Sequence, residues 1–123
     1  MSNIMAVLLN GIAQLEFDRN KPLPEHQALY LEKMDMKMDE GIFVADKRIV
    51  NPDINQRAQF IAANLVHAIK SDEEAKAASL CTYLAIRLPE LKQVKINDTH
   101  EEVTIDLVFD EDYKNQVAVQ FKH

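Results

Sequence analysis

The apolar residues change their spacing at Pro89. Upstream they recur every three to four positions. Downstream they recur every second position, through Val94, Ile96, Val103, Ile105, Leu107, Phe109, Val117, Val119 and Phe121. A period near 3.6 buries one face of a helix, and a period of two buries one face of a strand. The chain therefore reads as α+β, with about four helices packed on one face of a C-terminal three-stranded antiparallel β-meander. The helical part covers residues 1–90 and the meander 91–123.

The first predicted helix runs from Asn3 to about Asp18. Ile4, Leu8, Ile12 and Leu15 form its stripe, while Met5, Val7 and Leu9 make its first half apolar all round. A helix without a polar face is central in its domain or pressed against another subunit. Asn20 to Pro24 breaks the pattern, because proline denies its predecessor the helical conformation. The second helix starts at Pro24, runs to about Glu40 and stops at Gly41. Ile42 to Val50 is short and irregular, and its two apolar ends flank a charged Asp46-Lys47-Arg48 turn that suits a small hairpin. Asn51-Pro52 is a start signal for the third helix, which reaches about Lys70 and is the most apolar of the set. Ser71 and Glu74 have the spacing of a capping box for a fourth helix ending near Leu88. The strands are expected over Lys92–Asn97, Glu101–Phe109 and Lys114–Phe121.

At 123 residues the chain is sized for one domain, and its 47% apolar content is that of a globular protein. Twenty acidic against fourteen basic residues leave a net charge of −6. Nucleic-acid affinity depends on cations meeting phosphates, so this balance argues against a nucleic-acid partner, and an anionic membrane surface is disfavoured for the same reason. The apolar run Met5–Leu9 ends at Asn10 and is too short for a membrane span or a signal peptide, so a cytoplasmic protein is expected.

The single cysteine, Cys81, excludes an internal disulfide and a thiolate zinc site. Gly11 and Gly41 are the only glycines, which excludes a Walker loop and a dinucleotide fingerprint. Neither a Gly-x-Ser-x-Gly elbow nor a His-Glu-x-x-His pair is present. Cys81 with His67 has the composition of a nucleophile and base. In a hairpin turning near Ser71, however, the two are offset by roughly 9 Å along the helices.

Three arrangements remain as candidates. Glu32, Asp35 and Asp39 recur at steps of three and four, with Glu25 and His26 earlier on the same helix, and such a carboxylate stripe can hold Mg or Mn for a metal-dependent hydrolase. Otherwise the stripe is a solvated face whose acids pair with Lys33 and Lys37. Asn64 and His67 lie inside the most apolar helix, where an unpaired polar group costs roughly 1–3 kcal/mol. They either bond to backbone or face a small-molecule pocket between that helix and the sheet. Leu29 and Met36, seven residues apart on the acidic side of the second helix, either cover the Ile42-Phe43 segment or join Met5 and Leu9 as candidate subunit-contact residues; with the greasy first helix they suggest a homodimer. No complete catalytic set appears. The residues therefore favour a non-catalytic interaction or accessory module without a cofactor over the hydrolase or the sensor.

Overall fold

Asn10-Gly11 decides the N-terminal fold. Both residues have positive φ, 50° and 84°, the backbone of the tight turn that joins two antiparallel strands with the correct twist. In the computed structural model, which describes residues 3–114, they link β1 (Ile4–Leu9) to β2 (Ile12–Asp18). The expected first helix is therefore a hairpin. The all-round apolar run that suggested a buried helix is a strand covered on both faces.

The remaining elements are α1 (Glu25–Asp39), β3 (Ile42–Val44), β4 (Lys47–Ile49), α2 (Ile54–Lys70), α3 (Glu74–Arg87), β5 (Gln93–Asp98) and β6 (Val103–Val108). A four-stranded sheet has the order β2-β1-β5-β6, and β3-β4 forms a separate two-stranded ribbon. This overturns the expected arrangement of four helices on a C-terminal meander: among the described residues three helices accompany a mixed sheet built from strands that precede and follow them. The β5–β6 hairpin accounts for two of the three strands expected in the meander. Its neighbour is β1, which runs parallel to β5 with Val7 opposite Val94 and Leu9 opposite Ile96. The third expected strand, Lys114–Phe121, lies outside the described residues apart from Lys114, which is not in a strand.

Alternation along the strands sorts the faces. Met5, Val7, Val94 and Ile96 are buried in one cluster with residues of all three helices, and Leu15, Phe17, Ile105 and Leu107 pack against it. A bulge between Val7 and Leu8 lets β2 hold this register with one extra residue, so that Val7 faces Leu15 and Leu8 faces Ala13. On the opposite face Ala6 and Leu8 are covered by Tyr113. The chain after β6 crosses that face. Lys92 holds Asp112 at 2.8 Å, Gln93 donates to the Glu111 carbonyl at 2.9 Å, and Tyr113 donates to Glu16 at 2.6 Å. The Lys92 bond also holds the Asp112 carboxyl below its usual range.

The helix ends follow local rules, with two corrections. The third predicted helix is capped by Asp53, not Asn51. The Asp53 side chain accepts from the Gln56 N–H, and Gln56 returns a bond to the Asp53 N–H. Ser71 and Glu74 do not form a capping box, because Ser71 closes α2 instead. The Asp72 and Glu73 amides bond back to Ile69 and Ala68 with Asp72 at φ 57°, a Schellman closure with aspartate in the place usually taken by glycine. The β3–β4 ribbon turns at Ala45-Asp46, one residue earlier than expected. Gly41, at φ 132°, ends α1 where a side chain would collide with the Arg48 guanidinium. Arg48 there donates to the Glu40 carbonyl.

Candidate functional site

α1 lies at the edge of the fold. Only Leu31 and Met38 of its fifteen residues are buried, too little apolar area to seat a helix by itself. Polar bonds supply the rest, and Asp35 is their hub. One of its carboxylate oxygens accepts from Tyr83 Oη at 2.5 Å and Arg57 Nη1 at 3.2 Å, and the other accepts from Arg87 Nε at 2.9 Å. Arg57 also bonds Asp39 and donates to the carbonyls of Asp35 and Pro52. Burial works against the Arg57 cation, but the Asp39 bond and the charges of Asp39 and Asp35 outweigh it and raise its pKa. Burial, reinforced by the Asp35 bond, likewise pushes the Tyr83 phenol above its usual range. Arg57 and Arg87 thus tie α1 to α2 and α3.

The predicted acidic stripe is therefore divided. Asp35 and Asp39 pair with arginines of other helices, not with Lys33 and Lys37 of their own. Glu32 and Glu25 are exposed, as are His26, Lys33 and Lys37, and none of these five makes an ion pair among the described residues. Among the described residues no three of His, Cys, Asp and Glu converge in a geometry that could hold a metal. The sequence offered one overlooked cue to the hub: Arg57 and Arg87 lie on helices with a wide apolar face, and a cation beside such a face is rarely left without a partner.

The second candidate pair also separates. Asn64 Nδ2 donates to the Phe60 carbonyl at 2.9 Å, one turn back in its own helix. His67 is exposed and lines a shallow groove of about 530 Å³ beside Val66, Lys70, Val103 and Ile105. The groove lies between α2 and β6, and Asn64 does not line it.

Cys81 is buried, and burial pushes its thiol up from 9.0 to about 12, against the opposing charge of nearby Arg19. Arg19 is itself lowered by burial, and it donates to the carbonyls of Ala85, Leu88 and Leu91 at the end of α3. A folded-state thiol pKa above the unfolded one contributes stability that is complete below pH 9 and disappears as pH rises toward 12. Above pH 9 the melting curve is therefore expected to lose about 1.4 kcal/mol per pH unit through this group. Cys81→Ala should flatten that slope. A Cys81 thiol that reacts with Ellman's reagent in the native protein at neutral pH, faster than the chain unfolds, would contradict this placement.

The candidate contact residues fall into two groups. Met5 is wholly buried and Leu9 packs against the same cluster on the inner sheet face, so the chain itself covers both. The greasy surface inferred around them belonged to a helix that does not form. Leu29 and Met36 are 51% and 66% exposed on the side of α1 opposite Leu31 and Met38. Phe43, just beyond the helix, is 65% exposed, and Tyr30 and Val50 are about half exposed. Five of the nine large apolar side chains exposed among the described residues therefore fall between Leu29 and Val50. No protein-family model, curated protein or solved structure matches the chain. No helix among the described residues is long and apolar enough to cross a membrane.

Proposed function

We propose that this protein is a non-catalytic interaction module that works as a homodimer, with the outer face of α1 as its contact surface. The observation that carries this reading is the exposure of Leu29 and Met36 on a helix whose opposite side is already seated. Large apolar side chains in such a row are the usual core of a contact, and charged residues around them form its rim. The carboxylates that could have supported chemistry point the same way. Asp35 and Asp39 are engaged in holding α1 in position, so the helix acts as a fixed platform. The excess of acid over base favours a protein partner over nucleic acid or an anionic membrane. A lone thiol suits the reducing cytoplasm.

The test is molecular mass in solution. Light scattering on the full chain should give twice the chain mass at micromolar concentration. Leu29→Lys with Met36→Lys should give the single-chain mass and still melt in one cooperative transition, at a temperature lowered only by the stabilisation that pairing supplied. A wild-type chain that stays monomeric at every concentration would reject the reading. Mg or Mn is expected to leave the melting temperature unchanged. A rise that Glu32→Ala abolishes would favour the metal-dependent hydrolase instead, because a ligand of the folded state stabilises it by mass action.

A further inference from the structure

Beside the apolar pair, α1 is charged differently on its two flanks. At about 100° per residue, Glu32 lies about 50° to one side of the Leu29–Met36 line, and Lys33 lies about as far to the other. Glu25, seven residues before Glu32, extends the acidic flank; Lys37, one turn after Lys33, extends the basic one. Asp39 also falls on the acidic flank but is engaged by Arg57. Glu25, Glu32, Lys33 and Lys37 are exposed and have no ion-pair partner among the described residues.

Two copies of such a helix can pair about a two-fold axis in two ways. When the axis runs along the helices, they are parallel, and the acidic flank of each copy meets the basic flank of the other. When the axis is perpendicular to the helices, they are antiparallel, and acid meets acid along one side. We infer that α1 pairs in parallel with α1 of a second copy, with Leu29 and Met36 in the seam and Glu32 of each copy between Lys33 and Lys37 of the other. In heptad terms Leu29 and Met36 take the d position, Glu32 takes g and Lys37 takes the following e, which is the spacing of interhelical ion pairs in parallel coiled coils; Lys33 takes the a position beside the seam, where a charged residue helps to fix register and chain number at a cost in stability and is flanked by Glu32 of the other copy. Leu31 falls at f, pointing away from the seam, and it is buried in the chain's own core as that geometry requires. Parallel pairing also brings the exposed Phe43 of both copies to the same end of the contact, where they can share cover; antiparallel pairing sets them at opposite ends.

This inference rests on the homodimer reading but can fail separately from it. Charge pairs at the rim of a contact fix register and exclude wrong partners. Glu32→Lys and Lys37→Glu, each alone, should weaken the dimer about tenfold, because each places like charges at two symmetric sites. The double exchange should return the dissociation constant to within about threefold of the parent. Under mild oxidation Met36→Cys should form a Cys–Cys dimer with itself, since the seam places position 36 beside its own copy. In a mixture of Leu29→Cys and Met36→Cys chains, 36–36 and 29–29 products should exceed the 29–36 product. A stable dimer that forms the 29–36 product, or one unaffected by either charge reversal, would overturn the parallel pairing and leave the homodimer standing. A monomer would remove both.

Discussion

Replacing Asp35 with alanine is expected to cost about 2–4 kcal/mol of folding stability, measured by urea denaturation. The substitution removes the acceptor of Tyr83 and Arg87 and one of those of Arg57, and leaves a buried phenol and two partly buried cations without their carboxylate. Breaking a fully buried pair from one side costs roughly 3–5 kcal/mol, and the estimate is lowered because the Asp35 side chain keeps 28% of its exposure. Asp39→Ala is the control. It also loses an Arg57 bond, but its side chain is 53% exposed, and it should cost under about 1 kcal/mol. Tyr83→Phe isolates one strand of the network and should cost about 1–2 kcal/mol. The loss in Asp35→Ala should be local before it is global. Amide exchange should accelerate first in α1, because few apolar contacts remain to hold it. The proposed dimer should weaken together with it, since its proposed contact surface lies on that helix. A loss below about 1 kcal/mol would mean that Leu31 and Met38 seat α1 unaided.

The second large effect separates a strand from a helix at the N-terminus. Met5→Ala is expected to cost about 2–5 kcal/mol, because Met5 is 0% exposed on the inner face of β1 and its removal leaves a cavity under the helices. Ile12→Ala should change stability by less than about 0.5 kcal/mol, because Ile12 is 64% exposed beside the hairpin turn. A helix over residues 3–18 would put Ile12 in the core stripe with Ile4, Leu8 and Leu15. Equal losses at the two positions, or a larger loss at Ile12, would therefore contradict the hairpin.

That contrast shows where local pattern stops being informative. Periodicity identifies an element by the difference between its two faces. β5, β6 and α2 each have one such face, and the sequence places them within a few residues. Ile4–Leu9 has none, since both faces of β1 are covered, by the helices on one side and Tyr113 on the other. Such a run fits a buried helix and a buried strand equally. The residues that distinguish the two are Asn10 and Gly11, whose adjacent positive-φ preference signals a hairpin turn. The capping error at Ser71 has a similar origin. Its hydroxyl and Glu74 have the right spacing, but the same residue was needed to end α2, and the ending prevailed through two backbone bonds.

The candidate residues divide along the same line. Leu29 and Met36 were legible because exposure on a helix is a property of one helix: they lie opposite Leu31 and Met38, whichever neighbour those two meet. The role of Asp35 was not legible, since its partners lie 22, 48 and 52 residues away. Met5 and Leu9 were misplaced for the same reason, their exposure having been judged on an element that does not form.

By itself the sequence determined the three helices that follow Pro24, the β5–β6 hairpin and the faces those elements present, because each is specified by neighbours within a few residues. The tertiary structure alone decided that β1 inserts between β2 and β5, that Met5 is interior, and that α1 is held by a carboxylate between two arginines. Parallel pairing and ion pairs across distant segments leave no local trace. Their free energy exists only after the intervening chain has folded back, when loop closure has been offset by burial of the shared core.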